Sequence, residues 1–152
     1  MINYSKKMFE LSATQKQLQA NAREFAKKEI APRSAEVDRT EQYPWENVKL
    51  LTKQGFMGMT IPKEYGGKGM SYLDTVLVIE EIAKACGVTA RIVVEANMGA
   101  IGAVMKYGTE VQKKLAAKHV LSGDKPAICI TEPGAGSARG QADQSLSHSA
   151  DA

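Results

Sequence analysis

Apolar residues recur at helical spacing along most of the chain. The first such stretch runs from Ser12 to Ile30, where one stripe of an α-helix would carry Leu18, Ala22, Phe25 and Ala26. Ser12 and Gln15 have the spacing of a capping box, which predicts the start of this helix. Pro32 lacks a backbone donor and disfavours helical geometry at the residue before it. The pattern therefore predicts an interruption or kink there, followed by a second short helix over Ser34 to Glu41.

A third helix is predicted to begin at Pro44 and to end at Gly55. Proline is well tolerated in a first helical turn, and glycine adopts the left-handed conformation that ends many helices. The stretch from Phe56 to Met70 concentrates residues that break regular structure, namely Pro62, Gly66, Gly67 and Gly69. This density predicts a loop between helices.

The most apolar helical segment follows this loop. Ser71 and Asp74 form a second capping box, which predicts a helix from Tyr72 to Cys86 that ends at Gly87. Its large apolar residues are Leu73, Val76, Leu77, Val78, Ile79 and Ile82. They cover most of the helix circumference, so we expect this helix to be the buried centre of the fold.

Two more helices complete the predicted bundle. Residues from Ala90 to Lys106 form a helix rich in glycine and alanine, where a neighbouring backbone can approach closely. Thr109 and Gln112 make a third capping box, and the helix that it begins runs to about Leu121 before Gly123 ends it. The expected fold class is all-α, a bundle of roughly five to six helices.

The pattern changes after Asp124. Ala127 to Thr131 is a short apolar and β-branched run bounded by proline and glycine, which predicts one trailing β-strand. From Ala138 to Ala152 the residues are mostly small or polar, with Leu146 as the one large apolar side chain. Such a segment cannot bury enough apolar surface to order itself, so we expect a disordered tail over residues 138–152.

Composition and charge argue against several classes of function. The 152 residues include 20 basic and 17 acidic side chains, and the net charge of +3 is spread along the chain. No basic stripe forms, so we expect no binding to nucleic acid. No run approaches the ~18 consecutive apolar residues of a membrane-spanning helix, and Met1 to Lys7 contain no apolar leader core. We expect a cytoplasmic protein without a membrane span.

Several reactive side chains have structural interpretations. Cys86 and Cys129 are too few for a disulfide framework and lie far from any histidine pair, so we interpret both as buried thiols and expect no metal site. Glu80 and Glu81 invite a catalytic interpretation, but solvated or interhelical charges fit them better. His119 lies near the end of a helix, where it complements the negative pole.

One motif joins the predicted strand to a glycine-rich turn. Residues 128–137 read ICITEPGAGS, and Gly134 and Gly136 allow backbone amides to approach a polar or anionic ligand without an intervening Cβ. A plain surface turn is the alternative for a tetrapeptide of this kind. A ligand-contacting loop is the functional interpretation.

Larger segments of the chain resemble the acyl-CoA dehydrogenase family. TEPGAGS at 131–137, preceded by SGD at 122–124, closely resembles the family's flavin-contacting signature. Residues 54–87 and the KYGTEVQKK segment at 106–114 are similar to the family's amino-terminal helices in order and spacing. The resemblance covers about residues 9–137, and the combination is specific where each piece alone is weak.

The resemblance implies FAD as the cofactor and an acyl-CoA thioester as the substrate. In the family, the strand that matches Ile128, Cys129, Ile130 and Thr131 lies against the flavin ring, and the matching threonine hydroxyl reaches its reactive edge. The serine that matches Ser137 contacts the acyl-CoA. Helices like those from Tyr72 to Lys106 help to wall the acyl-chain channel.

The implied reaction is α,β-desaturation of the acyl-CoA. A carboxylate removes the α-proton while the β-hydrogen leaves as hydride to the flavin. In the family the base is a glutamate from a later helical domain, so no residue of this sequence is assigned as catalytic. Family members pass electrons to an electron-transfer flavoprotein, and full-length members form tetramers.

The resemblance ends abruptly after Ser137. Ala138 stands where the family usually has aspartate, and no strand pattern of the family's β-domain follows from Arg139 onward. We therefore expect three parts. These are a helical amino-terminal domain over 1–124, the first strand and flavin-contacting loop of the middle domain over 125–137, and a tail outside the family pattern over 138–152.

Without the family's base, we expect an incomplete or inactive dehydrogenase. Two alternatives stay open. One is a non-catalytic helical interaction module. The other is a superfamily relative such as an acyl-CoA reductase or a desulfinase, because the motif marks the flavin and CoA scaffold and not the direction of the chemistry.

Overall fold

The computed structural model describes residues 10–124 and 127–128, which fold as a helical bundle. In chain order the elements are α1 (Ala13–Phe25), a π-helical segment (Ala26–Ile30), α2 (Ala31–Thr40), α3 (Trp45–Gln54), a 3-10 turn (Lys63–Tyr65), α4 (Tyr72–Ala83), α5 (Gly87–Asn97), α6 (Ala100–Tyr107) and α7 (Glu110–Leu121). The described residues contain no β-strand, and the all-α fold class is confirmed.

The chain stays helical past Pro32, where we expected an interruption or kink. The π-helical segment Ala26–Ile30 shifts the hydrogen bonding, and the Ala31 N–H donates to the carbonyl of Ala26, five residues back. Pro32 then occupies the first turn of α2, where proline is well tolerated. The helix predicted over 34–41 accordingly begins three residues earlier, and left-handed backbone at Glu41 ends it.

All three predicted capping boxes are present. Ser12, Ser71 and Thr109 each accept a hydrogen bond from the backbone N–H three residues on, and the side chain at that position accepts the N–H of the cap residue in return. Gly55 ends α3 in the left-handed conformation, as predicted. These local signals place the starts of α1, α4 and α7 correctly.

Two predicted boundaries between helices are wrong. Gly87 does not end the fourth helix, because α4 stops at Ala83 and Gly87 is the first residue of α5, after extended backbone at Cys86. The single helix predicted over 90–106 is two helices, α5 and α6, separated at Met98 and Gly99.

Helix α4 is the centre of the bundle, with α1 on one side and α5 on the other. The largest fully buried apolar side chains come from almost every element: Ile30, Leu51, Met59, Ile61, Ile82, Ile101, Val48, Val78 and Val93. Leu73 and Val76 of α4, which we expected to be buried, are exposed because no described element covers the outer face of that helix.

The segment Gly87–Tyr107 is long and apolar enough to cross a membrane when judged by length and composition alone. In the structure it is divided between α5 and α6, and its inner side belongs to the core through Ile92, Val93, Ala96 and Ile101. Core helices of globular proteins can be equally long and apolar. Length and composition alone therefore do not make this segment a membrane span.

Contacts within the bundle fix the end of α7. Gly123 has left-handed backbone, and a Cβ there would lie 2.6 Å from the hydroxyl oxygen of Thr52 on α3. The backbone N–H of Asp124 donates to the carbonyl of His119 at 3.0 Å, and the Asp124 carboxylate lies 2.5 Å from His119 Nδ1. Gly123 ends α7 as predicted, and the chain leaves the bundle beside α3.

Candidate functional site

The predicted flavin-contacting segment lies almost entirely outside the described residues. Only Ile128 is described; this residue is 45% exposed and lies in no helix or strand. Cys129, Ile130, Thr131 and Ser137 lie outside the described part of the chain. Their assignment to flavin and substrate stays a prediction.

The helices that were predicted to wall an acyl-chain channel are α4, α5 and α6. A groove of about 510 Å³ opens between the first residue of α4 and the end of α6. Its lining consists of Thr60, Met70, Ser71, Tyr72, Gly102, Met105 and Lys106. We call this feature the α4–α6 groove.

The α4–α6 groove combines apolar and polar chemistry. Met70, Met105 and the Tyr72 ring supply apolar surface, while Lys106 supplies a positive charge. A Cβ on Gly102 would sit 3.6 Å from the Tyr72 hydroxyl, so the tyrosine lies directly over this glycine. Such a surface suits a ligand with an apolar chain and a polar or anionic group.

A buried asparagine anchors one side of this groove. Asn97 is fully buried, and its Nδ2 donates to the carbonyls of Phe56 at 2.9 Å and Val93 at 2.8 Å. Its Oδ1 accepts the backbone N–H of Met59 at 2.5 Å, and its own carbonyl accepts the Thr60 hydroxyl at 2.5 Å. The loop that carries Thr60 is thereby held against the end of α5.

Glu95 lies in the last turn of α5, next to the break between α5 and α6. One carboxylate oxygen pairs with Arg91, and the other, Oε2, is buried without a hydrogen-bond partner among the described residues. A Cβ on Gly99 would come closer to Oε2 than the 3.0 Å that real Cβ atoms keep. Glycine at this position therefore leaves the space in which the carboxylate sits.

Glu81 is fixed as an anion and is a poor general base. Its side chain accepts two hydrogen bonds from Arg23, at 2.9 and 3.0 Å, and one from Lys84 at 2.9 Å. The Arg23 hydrogen bond is the main reason why the pKa of Glu81 is lowered to about 2. A base needs a pKa nearer the working pH, so the interhelical-charge interpretation is confirmed.

Cys86 is a buried free thiol, as predicted. Its sulfur accepts a hydrogen bond from the Thr89 hydroxyl at 3.2 Å, and Thr89 in turn accepts one from Asn47 Nδ2 at 2.9 Å. This chain of polar contacts ties α3 to α5. Within residues 10–124 and 127–128, no group of three or more His, Cys, Asp or Glu side chains is placed to hold a metal ion.

Two apolar faces of the bundle are exposed. On α4 the exposed residues are Tyr72, Leu73 and Val76. Along α6 and α7, Tyr107 is 78% exposed, Val111 76% and Leu115 56%. Contiguous exposed apolar surface of this kind marks places where a protein packs against another polypeptide or a ligand.

The residues that organise this region were missed by the sequence reasoning. Asn97 and Arg23 act through partners 38 to 58 positions away along the chain, so no local spacing points to them. For Glu95 one signal was available, because a carboxylate within an apolar, glycine-rich helical stretch is seldom buried without a purpose.

The all-α fold agrees with comparison to known proteins. Residues 12–124 match the family described as "Acyl-CoA dehydrogenase, N-terminal domain". The chain belongs to the acyl-CoA dehydrogenase family.

Three individual proteins show which members of the family the chain resembles. The chain is 65% identical over 131 residues to 3-sulfinopropanoyl-CoA desulfinase of Paraburkholderia xenovorans (strain LB400), covering 86% of this chain and 34% of that protein. It is 38% identical over 133 residues to the short-chain specific acyl-CoA dehydrogenase of Clostridium acetobutylicum, covering 87% and 35%. The solved structure of glutaryl-coenzyme A dehydrogenase with glutaryl-CoA superposes with a TM-score of 0.77 at 32% identity, covering 86% and 34%.

The chain thus spans about a third of the length of the curated relatives that it matches. The matched third is the helical part, which contains the α4–α6 groove and the break at Gly99. The activity, substrates and partners of the whole relatives carry over to this chain only as proposals.

Proposed function

We propose that this chain forms the substrate-facing helical part of an FAD-dependent acyl-CoA dehydrogenase family protein that acts on a sulfinated acyl-CoA thioester. The observation that carries the substrate class is the difference in identity. The chain is 65% identical to a 3-sulfinopropanoyl-CoA desulfinase over 131 residues and 38% identical to a short-chain acyl-CoA dehydrogenase over 133 residues.

The helices supply binding surface in this proposal. The α4–α6 groove offers methionine and tyrosine side chains to an acyl or pantetheine chain, and Lys106 offers a positive charge to an anionic group. Walls of this kind exclude water from the thioester and hold it in one orientation. The rigid attachment of Thr60 to Asn97 keeps one side of the groove in place.

Residues 125–137 enter the proposal as the first strand and loop of a middle domain. Ile128, Cys129, Ile130 and Thr131 are proposed to line the FAD site, and Ser137 to contact the acyl-CoA. Bound FAD supplies the redox chemistry of the family. The helical domain over 1–124 contributes orientation and shielding, and we assign no catalytic base to it.

The α,β-desaturation of an ordinary acyl-CoA is the second candidate reaction. It is favoured by the likeness to glutaryl-CoA dehydrogenase, with a TM-score of 0.77. An electron-transfer flavoprotein as acceptor and a homotetramer belong to this candidate. Because CoA thioesters are made and consumed inside the cell, we place the protein in the cytoplasm as part of either candidate.

Grafting separates the two reactions. Residues 12–124 of this chain replace the matching residues of the Paraburkholderia desulfinase, and the chimera is assayed for sulfite release from 3-sulfinopropanoyl-CoA and for dye reduction with butanoyl-CoA. We expect sulfite release within about tenfold of the parent, because the groove residues keep their arrangement. The matched control carries the corresponding residues of the Clostridium dehydrogenase and should lose most of the sulfite release.

The result that contradicts the proposal is a folded, flavin-loaded chimera that releases no sulfite. If that chimera oxidises butanoyl-CoA instead, the second candidate reaction is favoured. The purified 152-residue chain gives an independent test of the interaction-module alternative. Flavin absorbance that persists through gel filtration at one FAD per chain supports the flavoprotein, and a colourless protein favours the non-catalytic helical module.

A further inference from the structure

The buried residue Asn97, the last residue of α5, also forms side-chain hydrogen bonds to the loop that follows α3. Its side chain reaches Phe56, Met59 and Val93 at 2.5 to 2.9 Å, so two donors and one acceptor are all in use. The residue is fully buried, and α6 begins three positions later at Ala100. Asn97 therefore holds the loop after α3 and the end of α5 together.

Two lining residues of the α4–α6 groove are linked to this centre by hydrogen bonds, Thr60 directly and Met70 through Met59. Thr60 donates its hydroxyl to the Asn97 carbonyl at 2.5 Å. Met59, whose N–H is held by Asn97, accepts the backbone N–H of Met70 on its own carbonyl at 2.9 Å. Thr60 and Met70 thus take their positions from Asn97, although Asn97 does not itself line the groove.

The facing residues of the groove belong to α6. Gly102 and Met105 lie on that helix, which starts directly after the break at Gly99. Asn97 lies between the two sides, bonded to the loop and joined to α6 through only two intervening residues. A change at Asn97 is therefore expected to alter the spacing between Thr60 and Met105 while the lining side chains themselves stay the same.

We propose that Asn97 is a positioning residue for acyl-CoA binding, which sets the width of the α4–α6 groove by hydrogen bonding Met59 and Thr60 to the end of α5. This inference rests on the proposed function in taking the groove as a surface that receives the thioester. It adds a residue that touches no substrate and acts through the loop.

The chain offers a matched control in Asn47. Asn47 is also a buried asparagine that bridges two elements, here through Thr89 at 2.9 Å, but neither residue lines the α4–α6 groove. Replacing either asparagine by alanine removes a buried amide of the same type. Only the Asn97 change frees the Met59 N–H, and the main-chain carbonyl at 97 that accepts the Thr60 hydroxyl is kept in both variants.

The experiment uses the full 152-residue chain with propanoyl-CoA as the probe. Binding is measured by calorimetry, and stability by urea unfolding, for wild type, Asn97→Ala and Asn47→Ala under conditions where circular dichroism shows each to be folded. We expect Asn97→Ala to weaken propanoyl-CoA binding by about tenfold, since a loosened supporting contact displaces the lining residues. Asn47→Ala should leave the dissociation constant within about twofold of wild type, whatever its cost in stability.

A second variant covers the case in which Asn97→Ala does not fold. Thr60→Val removes only the hydroxyl that donates to the Asn97 carbonyl and keeps the side-chain volume. We expect it to weaken propanoyl-CoA binding by about threefold with a small loss of stability.

Each outcome has a separate meaning. If both asparagine variants weaken binding in proportion to their loss of stability, or if neither variant of the Asn97–Thr60 pair changes binding, Asn97 is structural only and this inference fails while the proposed function stands. If the wild-type chain does not bind propanoyl-CoA, the groove is not a thioester surface and the inference fails with that assignment. The desulfinase chimera tests the proposed function separately.

Discussion

The guanidinium of Arg23 and the carboxylate of Glu81 form a two-point ion pair that joins α1 to α4, with N–O distances of 2.9 and 3.0 Å. The Glu81 side chain is 1% exposed, whereas that of Arg23 is 50% exposed. The pair thus places a negative charge inside the bundle and leaves its partner at the surface. Lys84 adds a third contact from the next turn of α4.

This ion pair predicts a specific loss of stability in acid. The pKa of Glu81 falls from an ordinary 4.5 to about 2 in the folded chain, mainly through the Arg23 hydrogen bond. A carboxylate with a lowered folded pKa contributes stability that is complete above pH 4.5 and disappears as the pH falls toward 2. Glu81→Gln should lower the urea midpoint at pH 7 and flatten its pH dependence between 4.5 and 2.

The neighbouring variant Glu80→Gln is the control for this prediction. Glu80 forms an exposed ion pair with Lys84, so its replacement should change the urea midpoint little at pH 7 or in acid. Equal pH profiles for Glu81→Gln and wild type would show that the ion pair does not control acid stability.

Two glycine positions should respond to alanine with opposite signs. A Cβ on Gly67 would overlap the carbonyl carbon and oxygen of Ile61, and backbone atoms cannot move aside. We expect Gly67→Ala to lower the free energy of unfolding by about 3 kcal/mol.

Gly87 is the first residue of α5, and a Cβ added there would have no atom within 4 Å. Gly87→Ala should therefore raise the free energy of unfolding by about 0.5 kcal/mol, because alanine restricts the unfolded chain.

Chemical denaturation of both alanine variants under one set of conditions tests this pair. A Gly67→Ala protein as stable as wild type would mean that the loop after Ile61 has room that the structure does not show. A destabilised Gly87→Ala protein would mean that the start of α5 makes a close contact which the structure does not show.

Gly99 and Glu95 should be energetically coupled. Gly99→Ala pushes against the Glu95 carboxylate, and we expect a loss of about 2 kcal/mol of stability. Glu95→Ala removes the obstacle, so adding Gly99→Ala to it should cost about 1 kcal/mol less than adding it to wild type. A double-mutant cycle in urea measures the coupling, and strict additivity would mean that the two groups do not touch.

Asn97→Asp should reverse the usual pH behaviour of a carboxylate. The new acid would face the carbonyl oxygens of Phe56 and Val93, which need a donor. Its folded pKa is expected to rise, since only the protonated acid can donate. The stability cost relative to wild type should therefore be smallest below about pH 4 and should grow as the pH rises toward 7. A cost that is the same at pH 4 and pH 7 contradicts the hydrogen-bond assignment.

Helix starts were predictable because their signals are local. Ser12, Ser71 and Thr109 each find their capping partner three residues along the chain, so the sequence contains both halves of the interaction. The left-handed glycine at 55, which ends α3, is equally local. Such signals lie within one helical turn and do not depend on the rest of the chain.

The break between α5 and α6 was not predictable from spacing. Gly99 lies in a run of small and apolar residues that is typical of one helix, and the break is accompanied by contacts from Phe56 and Met59, about forty residues earlier. The prediction that Leu73 and Val76 are buried was wrong for a related reason. Apolar periodicity shows that a face avoids water, but not whether another element is present to cover it.

Part of the candidate site was predictable, and part was not. The resemblance predicted that helices α4 to α6 help to wall an acyl-chain channel; a groove lies between α4 and α6, and its binding of a ligand stays a prediction. The contacts that shape this groove pass through the backbone of Met59 and the side chain of Asn97, neither of which has a recognisable motif. Thr131 and Ser137 lie outside the described residues, and their roles stay predictions.

The close packing of Gly123 on Thr52 has a consequence for whatever is attached to the bundle. A side chain at 123 would meet the Thr52 hydroxyl, and Asp124 is already tied back to His119. Contacts with α3 and α7 therefore set the direction of the backbone at residue 124. The bundle thus orients the backbone at Gly123 and Asp124 through contacts with its own residues.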